Sequence, residues 1–287
     1  MTRRGFAGAL AGTAALLASA CSPLTLFNRF APRDPARQPG QGLAYGADPR
    51  QRLDLYAPEG GGMGLPVLVF FYGGGWNSGR RQDYAWVGHS LAAQGFLVIV
   101  PDYRLAPAHP YPDFVQDGAA AVRWALDHAA AYGGDPDRLA ISGHSAGAYI
   151  ALQLAMDQAF LQAAGVDPRR VRAVAGLSGP YDFYPFVSPL AVEAFGRWPD
   201  PKATQPINHV GPGRPPAFLA HGDADTLVEL SNTYNLSKAL RAAGDEVETK
   251  IYPGVDHPGM ILALSPAFRG KAPVLADMTS FLTRHLA

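Results

Sequence analysis

Short runs of consecutive apolar residues alternate with longer, alanine-rich amphipathic stretches through most of this chain. The runs Arg52–Tyr56, Val67–Tyr72, Phe96–Val100, Leu139–Ser142, Ala173–Leu177, Ala217–Ala220 and Val247–Tyr252 predict strands. Several are apolar at every position, the pattern of a strand covered on both faces. Helices are predicted between them, over Tyr84–Ala93, Phe114–Ala131, Ala146–Ala163, Ser231–Ala243 and Ala272–His285. Strand–helix alternation without an internal repeat implies one α/β domain, residues 42–287, with a doubly wound, mostly parallel sheet. The span Tyr181–Pro216 breaks the rhythm, being proline-rich with one short helical candidate, Pro189–Phe195, and reads as a cap-like insertion over one end of the sheet.

The N-terminus follows a different pattern. Arg3 and Arg4 precede an uncharged run from Gly5 to Ala20, and Cys21, the only cysteine, comes next. Sixteen residues fall short of the about 20 a membrane-spanning helix needs, but suit the apolar part of an export signal. Thr2–Phe6 resembles a twin-arginine signal, with the general secretory route as the alternative. Leu17-Ala18-Ser19-Ala20-Cys21 resembles a bacterial lipoprotein processing box, except that Ala18 stands where that box usually has Leu. The expectation is a signal over residues 1–20, a lipidated Cys21 holding the protein to a membrane of the cell envelope, and a tether over residues 21–41. A soluble periplasmic protein with a simply cleaved signal is the alternative. Ser22 to Gln41 carries four prolines and no apolar period, which is the reason for reading a tether.

Composition narrows the function. Lys+Arg and Asp+Glu each number 24 of 287 residues, and no basic run offers a track for phosphates, so nucleic-acid binding is not expected. Removing residues 1–20 takes away two arginines and no acid, leaving a net charge of −2. One cysteine allows no intramolecular disulfide, and neither a phosphate-binding GxxxxGK[ST] loop nor a spaced Cys/His cluster is present. No cofactor and no metal are expected.

Chemistry enters with Gly143-His144-Ser145-Ala146-Gly147, which follows a predicted strand and opens a predicted helix. That context is a nucleophile elbow. Its glycines permit a turn too tight for side chains, and the helix N-terminus directs free N–H groups at the serine. The bland alternative is a helix-capping serine. Upstream, Tyr72-Gly73-Gly74-Gly75-Trp76 ends another buried strand. Consecutive glycines there let backbone N–H groups approach an oxyanion.

With these motifs the chain resembles α/β-hydrolases of the hormone-sensitive-lipase-like esterase group, above all the small bacterial feruloyl/acetyl-xylan-esterase-like branch. The resemblance runs from about Leu53 to the C-terminus. It also rests on Leu53-Asp54-Leu55-Tyr56, Asp102-Tyr103-Arg104-Leu105-Ala106-Pro107, His221-Gly222-Asp223-Ala224-Asp225, and Tyr252-Pro253-Gly254 leading to His257. It implies a triad of Ser145, Asp225 and His257, with an oxyanion hole of Gly74, Gly75 and Ala146. Asp223 is the competing acid, His209 the competing base, and Asp256 adjoins His257. Tyr72 departs from the family's His and leaves the support of the glycine loop open. Asp102 and Arg104 are read as structural. Among the aromatics Trp76, Tyr84, Trp86, Tyr181, Phe183, Tyr184 and Trp198, about half are expected in the core and the rest could line a pocket.

The function so implied is a serine carboxylic-ester hydrolase acting through an acyl-enzyme on a small-molecule ester, a short-chain acyl or an aryl ester. The short insertion argues for short acyl chains. An arylformamidase shares fold, glycine loop and triad and stands as the alternative. A binding protein that has lost catalysis on the same fold is the remote one.

Overall fold

The computed structural model describes residues 23–287. Arg3, Arg4, the apolar run and Cys21 lie outside the described residues, and with them the whole export and lipidation reading.

Eight strands form one sheet: β1 (Ala36–Ala44), β2 (Arg52–Pro58), β3 (Leu65–Phe71), β4 (Leu97–Pro101), β5 (Gly134–His144), β6 (Val171–Leu177), β7 (Ala217–Gly222) and β8 (Val247–Tyr252). Their order is β1-β2-β4-β3-β5-β6-β7-β8. Only β2 runs against the rest, pairing antiparallel with both β1 and β4. The apolar runs lie where their composition requires: β4 and β7 are buried along their whole length, whereas edge strand β8 is half-exposed. The fold is the expected doubly wound, mostly parallel α/β sheet.

Nine α-helices surround it: α1 (Pro23–Phe30), α2 (Ala85–Ala92), α3 (Asp113–His128), α4 (Ala146–Met156), α5 (Ala159–Ala163), α6 (Pro189–Phe195), α7 (Ser231–Ala243), α8 (His257–Leu262) and α9 (Val274–His285), among the described residues. Side chains alternate across a strand, so neighbouring positions report opposite faces. A side chain on Gly118 of α3 would touch Phe71 and Ile150 of α4, whereas Ser142 faces Met278 of α9. Helices α3 and α4 therefore cover one face of the central strands and α9 the other.

The structure differs from expectation in three places. Residues 23–41 are not a free tether. Helix α1 sets Phe27 against Trp86 at 5.2 Å between ring centroids and against Phe268 at 5.8 Å, and β1 then joins the sheet. Strand β1 escaped notice because, as an edge strand with Pro39 and two register shifts, it needs no apolar run. The helix predicted over Ala146–Ala163 stops at Met156, because Asp157 leaves helical geometry and its carboxylate accepts from the N–H of Ala159, starting α5. Helix α8, six residues long, is too short to announce itself by periodicity.

Chain order matters for the site. After β3 the chain moves outward to β4, then returns across β3 to lay down β5 on its other side. Loops at such a reversal diverge and leave a crevice at the carboxyl ends of the strands. At that reversal lie the loop Tyr72–Trp76 after β3 and the turn at Ser145 between β5 and α4.

Candidate active site

Ser145 sits between β5 and α4 with φ 55° and ψ −124°, a conformation L-residues rarely hold. The close packing around it explains the flanking glycines. A Cβ on Gly147 would lie 2.0 Å from the carbonyl oxygen of Phe71, and one on Gly143 would lie 2.3 Å from Gly147. The N–H of Ser145 is tied to the Leu177 carbonyl at 2.9 Å. Between Ile141 and Ile150 only Ser145 is not buried, so the turn presents its side chain outward.

His257 is the first residue of α8, and Asp256 caps that helix by accepting the Gly259 N–H at 2.8 Å. The Asp256 carboxylate is thus occupied in starting the helix that carries His257. The Nδ1 of His257 lies 2.7 Å from Oδ2 of Asp225. Asp225 follows β7, its side chain fully enclosed. Its Oδ1 accepts the N–H groups of Leu227 at 2.9 Å and Val228 at 3.0 Å. His221 adds a contact the sequence did not suggest: its Nε2 lies 3.3 Å from Asp225 Oδ2 and 2.9 Å from the Val228 carbonyl, while Nδ1 meets the Thr233 hydroxyl at 2.9 Å. Burial alone would raise the Asp225 carboxyl, but the bonds from His221, His257 and Val228 hold it well below the usual carboxylate range. Asp223, by contrast, is exposed and accepts only the Gly254 N–H, at 2.6 Å.

His144 backs this pair. Its ring centroid is 4.8 Å from that of His257, and its Nε2 meets the His257 carbonyl at 3.1 Å. Burial, reinforced by repulsion from a charged His257, lowers its pKa to about 3, so it is neutral and donates this bond. The remaining histidines are engaged elsewhere. His209 bonds the Ala203 carbonyl at 2.7 Å inside the insertion, and His89, His109, His128 and His285 contact Asp34, Asp113, Trp124 and Glu246.

The glycine loop takes φ values of 145° at Gly74, 58° at Gly75 and 62° at Trp76. Gly73 lies against the elbow, for a Cβ there would be 3.0 Å from that of Ser145. Among the described residues no protein acceptor takes the N–H of Gly74, Gly75 or Ala146. Tyr72 explains its own departure from the family pattern. Its phenol donates to Asp102 at 2.8 Å, receives Arg50 at 3.0 Å, and its ring stacks between Tyr103 at 4.8 Å and Tyr84 at 5.1 Å. Asp102 also accepts the backbone N–H and guanidinium of Arg81, which in turn binds Asp54 at 2.8 Å. Arg104 pairs with Asp117 and Asp113. Asp102, buried, and Arg104, half-buried, are thus props of the loop and the core beneath it.

Of the seven aromatics singled out, Trp76, Tyr84, Trp86 and Tyr181 are core residues. Phe183 and Trp198 are half-buried, and Tyr184 is exposed. The insertion is pinned at its start and at α6. Asn232 Oδ1 accepts the N–H groups of Tyr181 and Asp182, each at 2.8 Å, and Phe195 of α6 fills a cluster with Trp76, Phe114 and Tyr149.

An eight-stranded sheet with a strained serine elbow and a glycine loop at its topological reversal defines an α/β-hydrolase, and its carboxylesterase relatives place it in the hormone-sensitive-lipase-like esterase group. Within it the chain belongs to the BD-FAE family, whose sequence model matches residues 53–240. It is 30% identical over 270 residues to the isoprenylcysteine alpha-carbonyl methylesterase ICME of Arabidopsis thaliana, covering 86% of this chain and 62% of that one. It is 35% identical over 226 residues to the carboxylesterase NlhH of Mycobacterium tuberculosis, covering 70% and 68% of the two. A truncated form of a carbohydrate esterase from gut microbiota superposes with a TM-score of 0.78 at 23% identity, over 89% of this chain and 99% of that one, and shares the fold.

Proposed function

We propose that this protein is a serine carboxylic-ester hydrolase working through an acyl-enzyme, with Ser145 as nucleophile, His257 as base and Asp225 as its partner. The observation that carries the reading is the 2.7 Å contact between His257 Nδ1 and a fully enclosed Asp225 carboxylate, on the same edge of the sheet as the strained serine. A carboxylate there fixes the proton on Nδ1 and leaves the Nε2 lone pair free to take a proton from Ser145. The freed oxygen attacks the ester carbonyl, and the N–H groups of Gly74, Gly75 and Ala146 receive the oxyanion. Each such donor is typically worth about 10²–10³ in rate. His257 passes its proton to the departing alcohol, then activates water to release the acid. The names of the relatives, a methylesterase and a carboxylesterase, support ester chemistry. Short acyl groups are the expected substrates, since the only α-helix of the insertion is seven residues long, short for a lipase-type cover. Ser145→Ala is the test. Activity on p-nitrophenyl butyrate should fall at least about 10³-fold, and labelling by a fluorophosphonate should disappear. Retained labelling would place the nucleophile elsewhere.

For location, the reading supported by Arg3, Arg4, the uncharged run and Cys21 is an exported protein anchored in the cell envelope through a lipid on Cys21. Lipoprotein anchors carry several acyl chains, and two or more are needed for stable attachment. Full-length protein should fractionate with membranes and Cys21→Ala should be soluble. A soluble wild type would leave only a cleaved signal.

A further inference from the structure

Among the described residues, eight large hydrophobic side chains are markedly exposed, and six of them, Tyr184, Val187, Leu190, Val192, Leu227 and Tyr234, belong to the segments that follow β6 and β7. Leu190 differs from the other five in what it touches. Its Cδ1 lies 2.8 Å from the position a Cβ on Gly75 would occupy, yet the residue remains 43% exposed. Leu190 therefore lies beside a proposed oxyanion donor, filling the space a side chain on Gly75 would need, while remaining partly open to solvent. Helix α6 holds it firmly: Asn77 donates to Glu193 at 3.1 Å, the Ala194 carbonyl accepts the Tyr111 N–H at 2.8 Å, and Phe195 packs edge-on to Trp76 at 4.8 Å. These contacts anchor α6 beside the glycine loop.

The sheet order says which half of an ester meets Leu190. Seen from β5, the glycine loop follows β3 on one side, while Asp225 and His257 follow β7 and β8 on the other. The departing oxygen must face His257 to receive its proton. Of the groups on the tetrahedral carbon only the departing oxygen is bound to the His257 side, which leaves the acyl substituent free to lie on the other side of Ser145, beside the glycine loop, where Leu190 approaches Gly75. Leu227, beside the acid, stands on the alcohol side.

We propose that Leu190 is the specificity-determining residue that closes the acyl side of the site, so that the ester accepted carries a short acyl group and places its bulk on the alcohol. The proposal rests on the hydrolase reading above. Its test is a series of p-nitrophenyl esters from acetate to octanoate, which share one leaving group, run beside acetate esters of alcohols of increasing size. Leu190→Ala should raise the hexanoate-to-acetate ratio of kcat/KM about tenfold or more, the usual scale for methylenes gained by a pocket. Leu190→Phe should lower the butyrate-to-acetate ratio, and neither should reorder the alcohol series. Acyl profiles that superimpose on wild type, in variants with unchanged unfolding temperature, would overturn the assignment, as would a shift confined to the alcohol series. Failure of the underlying reading looks different: the wild type itself would hydrolyse no ester and Ser145 would take no fluorophosphonate.

Discussion

Replacing Asp225 by Asn tests the proposed site most sharply, because the structure defines what the new amide meets. The two N–H groups of Leu227 and Val228 bond Oδ1 at 2.9 and 3.0 Å, and they keep the asparagine oxygen on that side. The amide nitrogen is then forced into the position of Oδ2, 2.7 Å from His257 Nδ1 and 3.3 Å from His221 Nε2. His221 cannot adapt readily, since its Nε2 proton also serves the Val228 carbonyl and its Nδ1 the Thr233 hydroxyl. His257 can escape two donors facing each other only by moving its proton to Nε2. That tautomer offers Ser145 a proton where a base is needed, and comparable serine triads lose about 10⁴ in kcat from this change. Stability should fall by about 1–3 kcal/mol, the usual cost of disturbing a buried bond to a charged group. Asp223→Asn gives up only an exposed contact to the Gly254 N–H and should stay within about threefold of wild type. Steady-state hydrolysis of p-nitrophenyl butyrate, with thermal unfolding in parallel, decides between them. An Asp225→Asn enzyme within tenfold of wild type, or an equal loss in Asp223→Asn, would refute the assignment of the acid.

Other consequences follow from the surroundings of the site. Tyr72→Phe removes the donor to Asp102 and should cost about 1 kcal/mol of stability and lower kcat more than it raises KM, because the loop it braces carries the proposed oxyanion donors; unchanged kcat would show the loop held without it. Gly147→Ala drives a Cβ to 2.0 Å from the Phe71 carbonyl and should yield no soluble folded enzyme, so normal expression with normal activity would contradict the packing of the elbow. His144 stays neutral in the folded protein down to about pH 3, while its unfolded value is near 6.5, so below pH 6.5 the unfolded chain binds a proton that the folded one refuses. Stability should therefore decline with falling pH through that window, with His144 contributing up to about 1.4 kcal/mol per unit; His144→Gln should flatten the unfolding-temperature profile between about pH 6 and 4, and an identical slope would exclude the effect.

Much of this protein is written in local pattern. A parallel strand buried on both faces must be apolar throughout, so β3, β4, β6 and β7 could be read from composition alone, and the turns that carry Ser145 and the glycine loop were marked by glycines no other residue could replace. Tertiary structure decided what local pattern cannot carry. Edge strand β1 needs only backbone pairing to β2, so its Pro39 and polar residues gave no periodicity to detect, and the expected tether became part of the sheet. That Asp225 and not Asp223 reaches His257 depends on which carboxylate the loop after β7 turns inward against His221, a matter of three-dimensional enclosure for two acids two positions apart. Tyr72 finds its partner in Asp102, thirty residues away, only because β3 and β4 lie side by side. Leu190 meets Gly75 because an insertion after β6 is folded back over the loop after β3, and a contact across that separation leaves no trace in the residues flanking either one.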